Sequence, residues 1–266
     1  SDVYKRQKRI RVGIIFGGKS AEHEISLLSA QSVIEAIDKD KYEVVLIGID
    51  KEGKWHIGKD SQFILHAENP KLIKLNRTGE IIALVPGERK KQLVNATTRH
   101  PVRPVDVVFP VLHGPFGEDG TVQGLLKLAD IPWVGASVLG SAVGMDKEVA
   151  KRLLRDVNIP TPRFLVFHKS ELNKIDFEKV KRKLGLPFFV KPSNLGSSVG
   201  IHKIKRRDDF KKALVDAFNY DLKILIEEYI EGREIECSVL GNDEPIASLP
   251  GEIIPRHEFY SYDAKY

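Results

Sequence analysis

The sequence predicts an open parallel α/β lobe, then a smaller α+β lobe, then the start of a third lobe. Three observations predict this. Residues 10–16 (IRVGIIF) form a short apolar run ending in Gly17-Gly18, followed by a helical pattern and a second apolar run at 42–49. That order is a β-α-β unit, whose parallel strands are buried on both faces and read as continuous apolar stretches. Past Asn158-Ile159-Pro160 the pattern changes to short strands and helices, two of the strands enclosing a Gly/Ser-rich loop near residues 193–198. With 266 residues, 42% hydrophobic and 30% charged, the chain is long and apolar enough for a sizeable core, which excludes disordered and fibrous classes.

The elements follow in order. Ile25, Leu28, Val33 and Ile37 recur at helical spacing and predict a helix over 21–37. Strand 42–49 comes next, and Gly53 and Gly79 punctuate weaker strands read as hairpins. A buried strand at 105–112, a helix at 121–129 and a brief strand at Trp133-Val134 complete a first lobe over 10–145. A helix at 147–156 opens the second lobe, 146–230, with strand 164–167, helix 179–184, strands 188–191 and 199–204, helix 208–218 and strand 223–228. Strand-like segments at 234–240 and 245–249 begin the third, 231–266. Residues 1–9 are set aside, because Ser1–Gln7 is polar, aperiodic and lacks Met; the end at Asp263-Ala264-Lys265-Tyr266 is read as a truncation.

Charge narrows the partners. The formal net charge is +5, from 42 basic and 37 acidic residues interleaved along the chain. The densest basic run, Lys203, Lys205, Arg206 and Arg207, is short and reads as solvated surface; nucleic-acid binders concentrate such charge on a face or an arm. A mild excess suits a small anionic ligand such as a nucleotide. A single cysteine, Cys237, excludes an internal disulfide and fits a reducing compartment, hence a cytoplasmic protein. No apolar run, 44–49 included, approaches the ~20 residues that span a bilayer.

Five stretches carry candidate chemistry. Residues 13–20, GIIFGGKS, fit the P-loop expression letter for letter. The mechanism needs a loop of phosphate-facing N–H groups there, whereas Ile14, Ile15 and Phe16 complete a strand and the turn begins at Gly17. A Walker loop using Lys19 and Ser20, with Asp50 as metal acid, is the rival reading. Gly17, Gly18 and Ser20 sit where open α/β sheets bind ligands, with Glu22 and His23 in the next turn; Glu22 either faces that crevice or only complements the helix dipole. His113-Gly114-Pro115-Phe116-Gly117-Glu118-Asp119-Gly120 places three glycines, a histidine and two acids in one loop after a strand. Lys191, at a strand's end, precedes a loop with Gly196, Ser197, Ser198 and Gly200; small residues let backbone N–H groups reach phosphate oxygens while the lysine supplies a point charge. Glu227 and Glu228 end an apolar strand before Tyr229-Ile230, a hinge whose carboxylates suit an adenine amino group and ribose hydroxyls. Residues 259–266, FYSYDAKY, are a lid or an amphipathic loop.

Taken together, GGKSAEHEIS (17–26), HGPFGEDGTVQG (113–124), GMDK (144–147), VKPSNLGSSVG (190–200), IEEYIEGREIE (226–236) and FYSYDAKY (259–266) closely resemble, in order, the signatures of the D-alanine–D-alanine ligases of the ATP-grasp superfamily. The resemblance implies an ATP-grasp α+β fold after the first lobe, its last lobe incomplete here. It implies that ATP phosphorylates the carboxylate of one D-alanine and that the amine of a second attacks the acyl phosphate, giving a peptidoglycan precursor. It also implies site residues. Lys147 and Lys191 hold phosphates under the cover of Ser197 and Ser198. Glu227 accepts from the adenine amino group, the backbone of Glu228 and Ile230 reads the ring edge, Phe189, Tyr229 and Phe259 sandwich it, and Glu234 takes the ribose. Glu22 holds the first D-alanine's ammonium beside His113; Glu22, Ser197 and Tyr266 form a hydrogen-bonded set; Lys265 neutralises the phosphoryl group. Tyr266 fits the dipeptide-forming branch, not the relatives that use D-lactate. The Mg²⁺ (or Mn²⁺) ligands, an acid and a Glu-x-Asn pair, lie past the lid segment in the family, so this stretch alone is expected to be inactive. A homodimer is the family habit. A non-catalytic ATP- or amino-acid-binding module is the alternative from outside enzymes.

Overall fold

The computed structural model describes residues 9–58, 63–66, 69, 72–77, 79–88 and 91–254. These fall into two units, Ser1–Met145 and Asp146–Tyr266. The first runs β1 (Ile10–Gly17), α1 (His23–Ala36), β2 (Tyr42–Ile49), β3 (Trp55–Gly58), β4 (Ile64–Leu65), β5 (Lys74–Leu75), β6 (Glu80–Leu84), β7 (Leu93–Asn95), β8 (Val107–Pro110), α2 (Thr121–Leu128) and α3 (Val138–Met145). β1 is buried from Arg11 to Gly17 and pairs in parallel with β2 on one side and β8 on the other.

The six-stranded sheet has the order β7-β6-β3-β2-β1-β8. Its parallel part is confined to β2-β1-β8; β3, β6 and β7 extend it antiparallel through the glycine-punctuated hairpins. The first lobe's sheet is therefore mixed, not parallel throughout. Alternation along β1 splits the core. Ile14 and Phe16 pack with Leu27 and Ala30 of α1, while Ile15 packs with Val122 and Leu126 of α2. Trp133 makes a single parallel bridge to Val108. The segment that forms α3 has no apolar stripe and buries only Ser141, so it gave no periodic signal in the sequence.

The second unit runs α4 (Lys147–Asp156), β9 (Phe164–His168), a 3₁₀ turn (Lys169–Lys174), α5 (Phe177–Leu184), β10 (Phe188–Pro192), β11 (His202–Ile204), α6 (Arg207–Tyr220), β12 (Lys223–Glu228), β13 (Glu234–Glu236), β14 (Val239–Leu240), β15 (Ile246–Ala247) and β16 (Gly251–Ile253). Its four-stranded antiparallel sheet has the order β11-β10-β12-β9. Phe188, Val190, Ile224 and Ile226 face Val180 of α5 and Phe210, Leu214 and Phe218 of α6. The opposite face carries Phe164, Phe189, Lys191 and Glu227; Glu227 is the register partner of both Phe189 and Phe164. Arg155 of α4 lies 5.0 Å from the Phe164 ring centroid and Lys151 lies 5.6 Å from it. α5 starts at Phe177, ahead of the expected 179, because Asp176 caps it by accepting the Lys179 N–H (2.8 Å). The expected strand 199–204 shortens to β11, since Val199 and Gly200 belong to the loop. The expected strand 234–240 breaks into β13, paired with β16, and β14, paired with β15. Among the described residues no helix is long and apolar enough to cross a membrane.

Candidate active site

In the first unit, the carboxyl ends of β1 and β8 carry two loops fixed by buried polar side chains. Gly17 and Gly18 both have positive φ, +88° and +96°, which glycine adopts without strain. The Gly17 N–H donates to Ser26 Oγ at 2.7 Å, and that hydroxyl donates to the Val111 carbonyl, so one fully buried serine ties β1 to the segment after β8. His23 Nδ1 lies 2.7 Å from the Gly18 carbonyl, and the Gly18 N–H donates to Ile49 O at 2.8 Å. Glu22, 5% exposed, is buried next to these turns. Gly114, in the loop after β8, has φ +70°, and a Cβ there would come within 2.6 Å of Glu22 Oε2, so this loop runs directly beside the carboxylate.

Glu118 and Asp119 serve the loop itself. Glu118 Oε2 accepts the Gly114 N–H at 2.6 Å; Asp119 accepts from the N–H groups of Phe116 (2.9 Å) and Thr121 (3.0 Å), and these bonds outweigh its burial and hold its carboxyl below the usual range. His113 Nε2 is 2.9 Å from Ser29 Oγ of α1. A cavity of about 330 Å³ opens here, lined by Gly17, Gly18, Ser20, Trp55, His113 and Phe116 among others.

The Walker reading fails on this geometry. Ile14 and Ile15 are ladder-paired on both sides, Phe16 is paired with β2, and all three are fully buried, so these residues form a strand and not a phosphate-facing loop. Lys19 lies 5.5 Å over the Phe116 ring. Asp50, 2% exposed, is committed to His56 Nε2 (2.9 Å) and to the Lys54 N–H (2.8 Å); these bonds outweigh its burial and keep its carboxyl below the ordinary range.

In the second unit, three lysines and a glutamate converge. Glu227, 7% exposed, has Oε1 3.3 Å from Lys151 Nζ and Oε2 2.8 Å from Lys191 Nζ; the second contact is close but poorly aligned as a hydrogen bond. Lys147 Nζ donates to the carbonyls of Pro192 (3.2 Å), Ser193 (3.4 Å) and Leu195, all at the start of the glycine-rich loop. Burial and the neighbouring Lys191 charge pull the Lys147 ammonium down to about 8, against a weaker upward pull from Asp221, Glu227 and Asp146. Burial also lowers Lys151, despite Glu227 beside it. Asp146 caps α4 through the N–H groups of Glu148 and Val149, accepts from Ser193 Oγ (2.9 Å) and pairs with Lys223 (2.6 Å). Ser197 and Ser198 stand at φ +50° and +60°, a region non-glycine residues rarely occupy. Phe189 and Tyr229 have ring centroids 6.1 Å apart.

Comparison with known proteins decides what these two sites belong to. Residues 11–136 match the family described as D-ala D-ala ligase N-terminus, and residues 153–266 match D-ala D-ala ligase C-terminus. The chain belongs to the D-alanine–D-alanine ligase family. It is 53% identical over 256 residues to the D-alanine–D-alanine ligase of Oceanobacillus iheyensis, covering 96% of this chain and 70% of the relative. To the D-alanine–D-alanine ligase A of Escherichia coli K12 it is 49% identical over 259 residues, 97% of this chain and 71% of the relative. Among solved structures it is similar to a D-Ala:D-Ser ligase from Enterococcus faecalis, with TM-score 0.80 and 33% identity over 97% of this chain and 74% of that one. The D-alanine–D-alanine ligase from Coxiella burnetii gives TM-score 0.79 and 35% identity over 92% and 71%.

Against the ligase signatures, the first unit puts His113 on the cavity wall and buries Glu22 against Gly114, the next residue of that loop. The second gathers Lys147, Lys191, Glu227 and Phe189 on one sheet face, with Tyr229 at its edge. Glu228 turns away from them, its carboxylate taken by the Arg163 N–H (2.6 Å) and Nε (2.5 Å) and its own N–H given to Arg163 O (3.0 Å). Ile230 is 59% exposed, and Glu234 is exposed in β13. Phe259, Lys265 and Tyr266 lie outside the described residues. Sequence reasoning missed Lys151, although its position one turn after Lys147 puts both on one helix face. It also missed Ser26 and Ser29, legible only as α1 positions facing the crevice, and Asp221, which has no sequence signal.

Proposed function

We propose that the chain's second unit binds ATP and its first unit binds the D-alanine that becomes phosphorylated, in the family's reaction: ATP-dependent joining of two D-alanines. A carboxylate oxygen of the first D-alanine attacks the γ-phosphorus and ADP leaves. The amine of the second attacks the resulting acyl phosphate, and phosphate departs as the amine sheds its proton. The observation that carries this reading is the convergence of Lys147, Lys151, Lys191 and Glu227 beside a loop that presents Ser197 and Ser198. Glu227 pairs with both Lys151 and Lys191, and triphosphate oxygens add negative charge beside these lysines, which is the electrostatic help phosphoryl transfer needs.

Lys147 and Lys191 take phosphate oxygens in this reading. Glu227 accepts from the adenine amino group, Phe189 and Tyr229 flank the base, and the backbone of Glu228 and Ile230 addresses its edge. Glu22 is an acceptor for the substrate ammonium, and His113 presents a ring nitrogen to the same crevice. Phe259 on adenine, Glu234 on ribose, Lys265 on the phosphoryl group and Tyr266 beside Ser197 complete it. D-alanine, not D-lactate, as second substrate rests on Tyr266. Mg²⁺ or Mn²⁺ accompanies ATP in the reading. Among the described residues, however, no group of three or more His, Cys, Asp or Glu fits such a cation. A cytoplasmic homodimer completes the proposal.

Titration calorimetry tests it. ATP binds the wild-type chain, and Lys191→Ala weakens binding at least tenfold while Lys19→Ala leaves it unchanged. Loss of binding in Lys19→Ala with Lys191→Ala unaffected would overturn the assignment of the nucleotide to the second unit.

A further inference from the structure

We propose that Asp221, which belongs to none of the signatures, is a positioning residue that holds the outgoing foot of the glycine-rich loop to the corner on which the returning foot also lands. The inference rests on the reading that this loop covers the nucleotide phosphates. Asp221 lies at the corner between α6 and β12. Its Oδ2 accepts two hydrogen bonds from one residue of the loop's outgoing foot, the Asn194 N–H at 2.7 Å and Asn194 Nδ2 at 2.9 Å. Its Oδ1 accepts the Lys223 N–H at 3.1 Å, which fixes the carboxylate to the start of β12. One residue back, the Ser193 N–H donates to the Lys223 carbonyl at 3.0 Å.

The returning foot lands on the same corner. Gly200 has φ +67°, and a Cβ there would stand 2.7 Å from Tyr220 Cδ2 and 3.0 Å from Pro192 Cγ, so the backbone lies directly against the Tyr220 ring and the outgoing foot. Residues 220–223 therefore anchor the loop at both ends. Between the feet the chain is tightly wound: the Val199 N–H reaches Gly196 O at 3.3 Å, and Ser197 and Ser198 occupy the left-handed region. Two consecutive non-glycine residues in that region are strained, and the conformation persists only while the surroundings hold it. Hydrogen bonds to an ionised carboxylate are the strong kind, and two converging on one oxygen fix orientation as well as distance. Releasing Asn194 frees the foot from which Ser197 and Ser198 are aimed. Asp221 acts through the loop and touches no ligand.

The test uses the whole chain and compares ATP with AMP, because a phosphate cover touches the β- and γ-phosphates and a general loss of structure weakens both ligands alike. Asp221→Ala is expected to weaken ATP binding about tenfold while changing AMP binding less than about twofold. Asn194→Asp, which sets two carboxylates against each other, does the same and keeps the question decidable if Asp221→Ala fails to fold. Wild-type ATP affinity in Asp221→Ala, or equal losses for ATP and AMP, overturns the proposal. A wild-type chain that does not prefer ATP over AMP overturns the phosphate-cover reading instead.

Discussion

On the proposed assignment, Lys147 makes the binding of ATP a proton-linked event. In the nucleotide-free chain its ammonium has an ordinary value of 10.5 but is lowered to about 8, first by burial and then by the charge of Lys191. The difference corresponds to about 3 kcal/mol of disfavour for the charged form. The sign follows from proton binding. Between about 8 and 10.5 the unfolded chain holds this proton and the folded chain does not, so Lys147 makes stability rise with pH through that window. A triphosphate beside the ammonium reverses the balance and restores the proton. Binding at pH 8.5 therefore takes up roughly three quarters of a proton, and at pH 7.5 roughly a quarter. Calorimetry in two buffers of different ionisation enthalpy reads this directly: apparent binding enthalpies diverge at pH 8.5, converge toward pH 7.5, and coincide at both in Lys147→Met. Identical enthalpies in both buffers at pH 8.5, or an uptake that survives in Lys147→Met, would refute the placement of phosphate at this lysine.

Two further outcomes follow from the sites. Glu227→Gln removes the counter-charge between Lys151 and Lys191 and lowers stability by about 2–4 kcal/mol, read as a lower urea midpoint at unchanged slope; adding Lys191→Met recovers part of it. Gly114→Ala places a Cβ 2.6 Å from Glu22 Oε2 at a φ of +70°, costs about 1–3 kcal/mol, and weakens D-alanine binding measured by calorimetry while leaving ATP affinity unchanged.

How far the sequence reveals these features depends on how local their causes are. β1, β2, β10 and β12 were legible because buried strands are written as unbroken apolar runs, and the turn at Gly17 because two glycines end such a run. The antiparallel half of the first sheet was legible only as hairpins, since β3, β6 and β7 are short and half-buried and their order depends on long-range pairing. α3 was not legible, as it buries one serine and has no periodic stripe. In the sites, Lys147 and Lys191 stood out by motif, whereas Lys151 reaches Glu227 from a different element, and no local pattern records that meeting. The clearest lesson is at 13–20. The P-loop expression is satisfied letter by letter, but Ile14, Ile15 and Phe16 find their hydrogen-bond partners in β2 and β8, and an N–H spent on a sheet is not available to a phosphate.

The arrangement around Glu227 also explains why the nucleotide-free second unit is poised and not merely assembled. Lys147, Lys151 and Lys191 bring three positive charges to a half-buried region that holds one buried carboxylate among them. The lowered Lys147 and Lys151 are the measure of that imbalance, because each ammonium is stripped of water faster than the neighbouring acids compensate it. A sequence selected for stability alone would replace one of these lysines with an apolar side chain, since a buried charge with half a partner costs more than a well-packed methylene. On the proposed assignment, keeping all three leaves positive charge for the phosphate oxygens to pair with. The carbonyls of Pro192, Ser193 and Leu195 hold the Lys147 ammonium in the meantime. They make it the point where the root of the glycine-rich loop and the charge of an arriving phosphate compete for the same three N–H donors.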